Sequence, residues 1–339
     1  MHPHRIFILL LTTPIWVLRY YALNLEYDYI IIGGGTSGLV IANRLSESSD
    51  ISVAVIEAGL DVSQNANVTD PTKFTISLGT DIDWNYKSSP QIYAGDRIID
   101  YHAGKGLGGT SNINGIYFYL LSYKHFRRAL TKTTGMTYIR AQKSQIDIWE
   151  VVGNPGWNWN TLLPYYKKSE HLGLPTVAQR EAGASYNPIY HGENGYLKVG
   201  FPYNLLNGSF VHNVKSTWDR LGIPINEDVN GGDVRGFSVW PSTIDRDTNV
   251  RESAAKAYYY PILGRPNLKV FLNTTANRIV WKDGAGVATA QGVEITSTTG
   301  TIITLYARRE VIVSAGSLRS PTILELSGVG NSKQVFPAT

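Results

Sequence analysis

The sequence predicts an α/β protein with a mostly parallel sheet and a β-meander, joined to a second, partial α+β part. Three observations predict this. An apolar strand pattern, Tyr27–Ile32, runs straight into Gly33-x-Gly35-x-x-Gly38, and a helical pattern and a second strand, Ile51–Ile56, follow. A second glycine-dense loop spans Gly104–Gly115. Between about Tyr186 and Asn249 the texture changes to scattered short elements, after which strand-like runs return.

The N-terminal unit is a Rossmann-like βαβ. Gly33 permits the tight turn, Gly35 lets the backbone approach a pyrophosphate, and Gly38 lets the helix pack close to the strand. Leu39, Val40, Ala42 and Leu45 give the helix its apolar face. The helix start, Thr36 and Ser37, presents free N–H groups and a positive dipole end to an anion. Glu57, with Ala58 after it, ends the second strand where a carboxylate accepts from a ribose diol. The competing reading is a glycine-rich turn with no ligand; the complete strand–helix–strand–acid order argues against it.

The chain has 339 residues, enough for two domains and a large core. It contains no cysteine, which excludes disulfides, thiolate nucleophiles and cysteine metal sites within it. The net charge of +4 is local: Lys124, Arg127, Arg128 and Lys132 lie in 116–135 with no acid beside them and account for all of it. A nucleic-acid partner is therefore not indicated.

Residues 1–24 read as a signal peptide. His2, His4 and Arg5 precede an apolar run, Ile6–Leu18, broken by Thr12, Thr13 and Pro14, which is too short for a stable membrane span. Ala22 could end it, although Tyr20 suits a cleavage site poorly; an untranslated extension or a disordered arm is the alternative. Sequons at Asn67, Asn207 and Asn273 agree with a secreted, extracellular glycoprotein.

In the second loop, Gly104-Lys-Gly-Leu-Gly108-Gly109-Thr110-Ser111-Asn112-Ile113-Asn114-Gly115, dense glycine lets backbone N–H groups approach a polar ligand; a surface turn cluster is the bland alternative. Further on, Gly195–Val199 and Gly236–Trp240 read as strands, Ser209–Leu221 as a helix with Phe210, Val214, Trp218 and Leu221 on one face, and Arg251–Tyr260 as a helix stopped by Pro261. Leu268–Leu272, Asn277–Trp281 and Gly292–Thr296 read as a small meander, and Val311–Ser314 as a strand returning to the main sheet.

The chain resembles the N-terminal part of the glucose–methanol–choline (GMC) flavoprotein oxidoreductases, the fungal aryl-alcohol and glucose oxidase-like members especially. Three ordered pieces carry the resemblance: Tyr27–Gly59, Gly104–Asn114, and Gly316-Ser-Leu-Arg-Ser-Pro-Thr-Ile-Leu-Glu-Leu-Ser-Gly-Val-Gly330. Gly153–Trp159 and Arg251–Ala255 are also family-like.

The resemblance implies FAD as cofactor. Gly33, Gly35, Thr36, Ser37, Gly38, Glu57 and Ala58 would hold the ADP half; Gly108, Gly109, Thr110 and Asn112 would lie along pyrophosphate and flavin; Asn114, Gly115 and Met136 would sit near the flavin ring; Ala276 would touch adenine, and Ala315 and Gly316 the cofactor again. It implies a flavin domain in two parts, 25–185 and 251–339, with a partial substrate domain at 186–250. The implied reaction is oxidation of the CH–OH group of a small alcohol or sugar, with hydride passing to flavin N5 and electrons to oxygen or another acceptor. The family's base is a histidine with a histidine or asparagine partner in a C-terminal region.

Two departures qualify this. Ile116–Gly135 interrupts the first signature, which resumes at Met136-Thr-Tyr-Ile-Arg-Ala141; the expectation is a retained intron read in frame, with a genuine lid insertion as the alternative. The sequence stops at Thr339, so no catalytic residue is expected within it and alcohol turnover by this chain alone is not expected. A catalytically empty FAD-binding fragment or a faulty gene model is thus one alternative, and a nicotinamide-dependent dehydrogenase another. His102, His171, His191 and His212 read as surface or packing residues. No Gly-x-Ser-x-Gly elbow supports a hydrolase, and no His-Glu-x-x-His spacing supports a metal site.

Overall fold

The computed structural model describes residues 25–115, 136–203, 209–282, 284 and 287–331. The segment 1–24 expected to be a signal peptide, the block Ile116–Gly135 and the sequon at Asn207 lie outside the described residues.

A six-stranded mixed sheet organises the molecule. Its strands are β1 (Glu26–Ile32), β2 (Val53–Ile56), β3 (Leu268–Phe271), β4 (Thr275–Trp281), β5 (Ala290–Thr296) and β6 (Ile302–Val313), in the order β4-β5-β6-β1-β2-β3. β1 pairs in parallel with both β2 and β6, and β2 pairs in parallel with β3. β4, β5 and β6 form an antiparallel meander.

The central strands are apolar at nearly every position because both faces are covered. Ile30, Ile32, Ala54 and Ile56 point into one core with Ile279, Val293, Ile295, Leu305 and Ile323. Ile31, Val53 and Val55 point the other way, onto Ala42 of α1 (Thr36–Leu45). A third cluster joins Leu39 of α1 and Leu107 of the second glycine loop to Ala254, Ala255, Ala257 and Tyr258 of α2 (Ala254–Tyr258). The last helix, α3 (Gly316–Leu326), packs on β4; its C-cap Ser327 bonds the Ile279 N–H at 2.7 Å and the Trp281 indole at 2.6 Å.

Four sequence expectations are corrected. Leu268–Phe271 is not a meander strand: it lies at the far edge of the parallel sheet, on β2. The third meander strand is instead the first half of β6, a single long strand that pairs with β5 through Ile302–Tyr306 and with β1 through Tyr306–Val313. Gly236–Trp240 makes only isolated bridges, Ile225 to Phe237 and Ala184 to Val239. The helix expected from Arg251 begins at Ala254, because Ser253 caps it by accepting from the Lys256 N–H, while Val250–Arg251 pairs antiparallel with Ile244–Asp245.

The remaining part carries helices Lys143–Val151, Trp159–Ser169 and Ser209–Arg220 and a parallel pair, Glu170–Leu172 with Leu197–Val199. Buried charges hold it together: Arg140 meets Glu170 at 2.7 Å, and His191 bridges Glu170 and Asp228 at 2.7 and 2.8 Å. Among the described residues, no helix is long and apolar enough to cross a membrane.

Candidate functional site

A cleft of about 1000 Å³ opens where the three glycine-bearing motifs meet. Gly33, Gly35, Thr36 and Ser37 form one wall, Glu57 and Ala58 the end of β2, Gly109 and Thr110 a second wall, Ala276 a third, and Ala315 and Gly316 a fourth.

The first wall follows from the turn between β1 and α1. The Gly33 N–H reaches the Ile56 carbonyl at 2.8 Å, and the first bond of α1 runs from the Leu39 N–H to the Gly35 carbonyl at 3.1 Å. No side chain caps α1 and its first turn contains no acid, so its leading N–H groups face the cleft. Gly38 does not line the cleft. A Cβ there would stand 2.0 Å from the Gly33 carbonyl oxygen and 2.7 Å from Ser314 Oγ, so glycine is what allows this helix–strand approach.

Glu57 is buried, and its carboxylate is held on both sides: Oε2 accepts from the Gly34 N–H at 2.9 Å and Oε1 from the Gly59 N–H at 2.8 Å. Burial nonetheless outweighs these donors and holds its pKa above the ordinary glutamate value. Each carboxylate oxygen keeps acceptor capacity beyond one bond.

The second loop is packed directly on the first. Gly108 donates to the Gly34 carbonyl at 2.8 Å, and Gly109, at φ +56°, would put a Cβ 2.8 Å from Gly35 Cα. Gly108, Asn112, Asn114 and Gly115 are not among the lining residues. Asn112 is buried behind the loop and donates to the Leu107 carbonyl at 2.9 Å; Asn114 is bonded to Arg251. Met136 is also away from the cleft, buried with its carbonyl accepting from the Thr243 N–H at 2.9 Å.

One side of the cleft had no assigned role in the sequence. Trp84 and Tyr86 stack with ring centres 5.8 Å apart, and the Arg319 guanidinium lies 4.9 Å from the Trp84 centroid and 5.7 Å from that of Tyr86. Tyr101 and His102 complete this side, His102 Nδ1 lying 2.5 Å from the buried Asp83. The available signal was the aromatic pair Trp84 and Tyr86 in the sequence; the left-handed Asn85 between them, at φ +45°, was not legible. Among the described residues no cluster of three or more His, Asp or Glu side chains is arranged to hold a metal ion.

The sequence profile of the GMC oxidoreductase family matches residues 131–336, more than half of the chain. The chain belongs to the GMC oxidoreductase family. A profile for an NAD(P)-binding Rossmann-like domain matches residues 31–94, a stretch that includes α1 and β2. Among GMC relatives, a glucose oxidase-like protein, fsoC, from Humicola fuscoatra is 48% identical over 87% of this chain and 47% of its own length. Glucose oxidase from Penicillium chrysogenum is 33% identical over 90% of this chain and 47% of its own. The structure resembles an FAD-dependent oxidoreductase from Chaetomium thermophilum with a TM-score of 0.78 and 31% identity, covering 91% of this chain and 48% of that one. A fungal aryl-alcohol oxidase matches with a TM-score of 0.74 and 26% identity, over 92% and 49% respectively. The chain thus spans about half the length of the GMC relatives it matches.

Proposed function

We propose that this chain is the FAD-binding part of a GMC oxidoreductase that oxidises the CH–OH group of a small alcohol or sugar, with oxygen or another acceptor reoxidising the flavin. The observation that carries this reading is the convergence of Gly33, Gly35, Thr36, Ser37, Glu57, Gly109, Thr110, Ala276, Ala315 and Gly316 on one cleft. The donors suit a dinucleotide: an uncapped helix start for a diphosphate, a buried carboxylate for a ribose, and glycines where a Cβ would fill the space. Bound there, FAD would supply the hydride acceptor. The residues of this chain bind and orient it, with Gly108, Asn112 and Asn114 shaping the second loop from behind rather than from within the cleft. None of the described histidines is assigned as base: His191 is locked between two carboxylates, and His102 is bonded to Asp83. In this reading residues 25–185 and 251–339 form the flavin domain, 186–250 belong to the substrate domain, and 1–24 direct export.

A nicotinamide-dependent dehydrogenase is the second reading, favoured by the NAD(P)-type profile over residues 31–94. Titration of the purified chain separates the two. FAD is expected to bind with a shift in its visible absorbance and quenching of its fluorescence, and NADH is expected not to bind. Gly35→Leu is expected to abolish FAD retention by blocking the approach of the diphosphate; normal retention in that variant would refute the assignment.

A further inference from the structure

Arg251 is almost fully buried, at 2% exposure, and no carboxylate lies within ion-pair distance of it among the described residues. The adjacent Glu252 pairs with Lys256 at 3.0 Å instead. An arginine without a counter-ion is costly to bury, so the guanidinium needs another reason to be there. Burial alone draws its pKa down to about 10.

Most of its hydrogen bonds go to backbone carbonyls. Nε donates to the Val68 carbonyl at 2.8 Å, and Nη1 to the Ser111 and Asn114 carbonyls at 3.1 and 3.0 Å and to Asn114 Oδ1 at 2.5 Å. Among the described residues Nη2 has no acceptor. A second tie comes from the same segment: the Ala254 N–H donates to Ser111 Oγ at 2.9 Å, and that hydroxyl donates to the Gly108 carbonyl at 2.6 Å. Both ties end on the turn that carries Gly109 and Thr110 into the cleft, and Gly109 is in contact with Gly35.

We propose that Arg251 is a positioning residue for the cofactor: its planar fork, spanning Val68 on one side and Ser111–Asn114 on the other, sets the second glycine loop at the distance from the first that a bound dinucleotide requires. This rests on the FAD reading above. It assigns a purpose to the Arg251–Ala255 stretch, which touches no part of the cleft itself. A lysine at this position keeps the charge but cannot span the same carbonyls, so geometry and charge are separable.

The test uses the chain with Arg251→Lys and Arg251→Gln and has two arms. In the first, without FAD, amide hydrogen exchange across Gly108–Asn114 is expected to quicken at least tenfold in both variants while β1 and β2 amides stay within twofold. Unchanged loop exchange, or a uniform rise in loop and sheet together, would overturn the positioning role. In the second, FAD dissociation constants are expected to rise at least tenfold in both variants. Affinity within twofold of the unsubstituted chain would overturn the proposal. If the unsubstituted chain takes no FAD at all, the cofactor reading fails, and the exchange arm still decides whether Arg251 holds the loop.

Discussion

Replacing Glu57 by glutamine changes one atom and disturbs two partners. Its oxygens accept from the Gly34 and Gly59 N–H groups separately, and glutamine can offer an oxygen to only one of them. The other amide is left facing an NH₂ group, a loss of about 1–3 kcal/mol. Relief of the burial cost that raises the Glu57 pKa works in the opposite direction, so the apo-protein is expected to lose little stability. FAD affinity has no such offset. A hydrogen bond from a ribose hydroxyl to a charged acceptor is worth about 1.5–3 kcal/mol, so Glu57→Gln is expected to weaken binding roughly tenfold or more. Fluorescence titration alongside thermal melting checks both halves. Equal FAD affinity in the variant would show that Glu57 serves only to brace the loop.

Between elements, the Arg140–Glu170–His191–Asp228 cluster ties together segments that no shared sheet holds. Burial alone would lower the His191 pKa, but its bonds to Asp228 and Glu170 outweigh this and hold it near 9. A histidine raised in the folded state contributes its full stability below the unfolded value, about 6.5, and loses that contribution as pH climbs through about 9. Unfolding midpoints in urea are therefore expected to fall between pH 7 and 10. His191→Gln is expected to flatten this slope and cost about 3–5 kcal/mol at pH 7, because the buried Asp228 carboxylate then loses its charged partner, while Glu170 keeps Arg140. A slope unchanged by the substitution would assign the alkaline loss to other groups. His191 is buried, in keeping with the sequence reading of a surface or packing residue, but its two carboxylate partners were not legible, because Glu170 and Asp228 lie in other segments of the sequence. The same limit explains the misplaced meander. β3 has the pattern of any short strand, and its partner β2 lies more than two hundred positions earlier. β6 was underestimated because Arg308, Arg309 and Glu310 break its apolar run, although Arg308 only turns outward to Asp28 at 3.0 Å. By contrast, the glycine turns and Glu57 were legible, since close backbone approach and an acid at a strand tip are local demands.

At the scale of the whole molecule, the described residues that flank the block Ile116–Gly135 meet the same hairpin. Before it, Asn114 is bonded to Arg251; after it, the Met136 carbonyl accepts from the Thr243 N–H. Arg251 pairs with Ile244, and the Glu252 N–H donates to the Thr243 carbonyl at 3.0 Å, so the two anchor points are neighbours across one ladder. Met136 is buried with φ +69°, a left-handed conformation that costs an unbranched residue about 1–2 kcal/mol. The strain therefore sits at the point where the family signature resumes. These facts predict that Gly115 joined directly to Met136 gives a chain that folds. Removing the block also removes four basic residues and brings the net charge to about zero, which lowers solubility through charge alone. Any gain in soluble yield would then come from folding and not from charge. The expectation is a higher melting temperature and undiminished FAD binding for the deletion variant, read by calorimetry and fluorescence titration. In the source organism, spliced transcripts lacking the block are expected. A deletion variant that fails to fold, together with messenger RNA that runs continuously through the block, would establish Ile116–Gly135 as a genuine insertion.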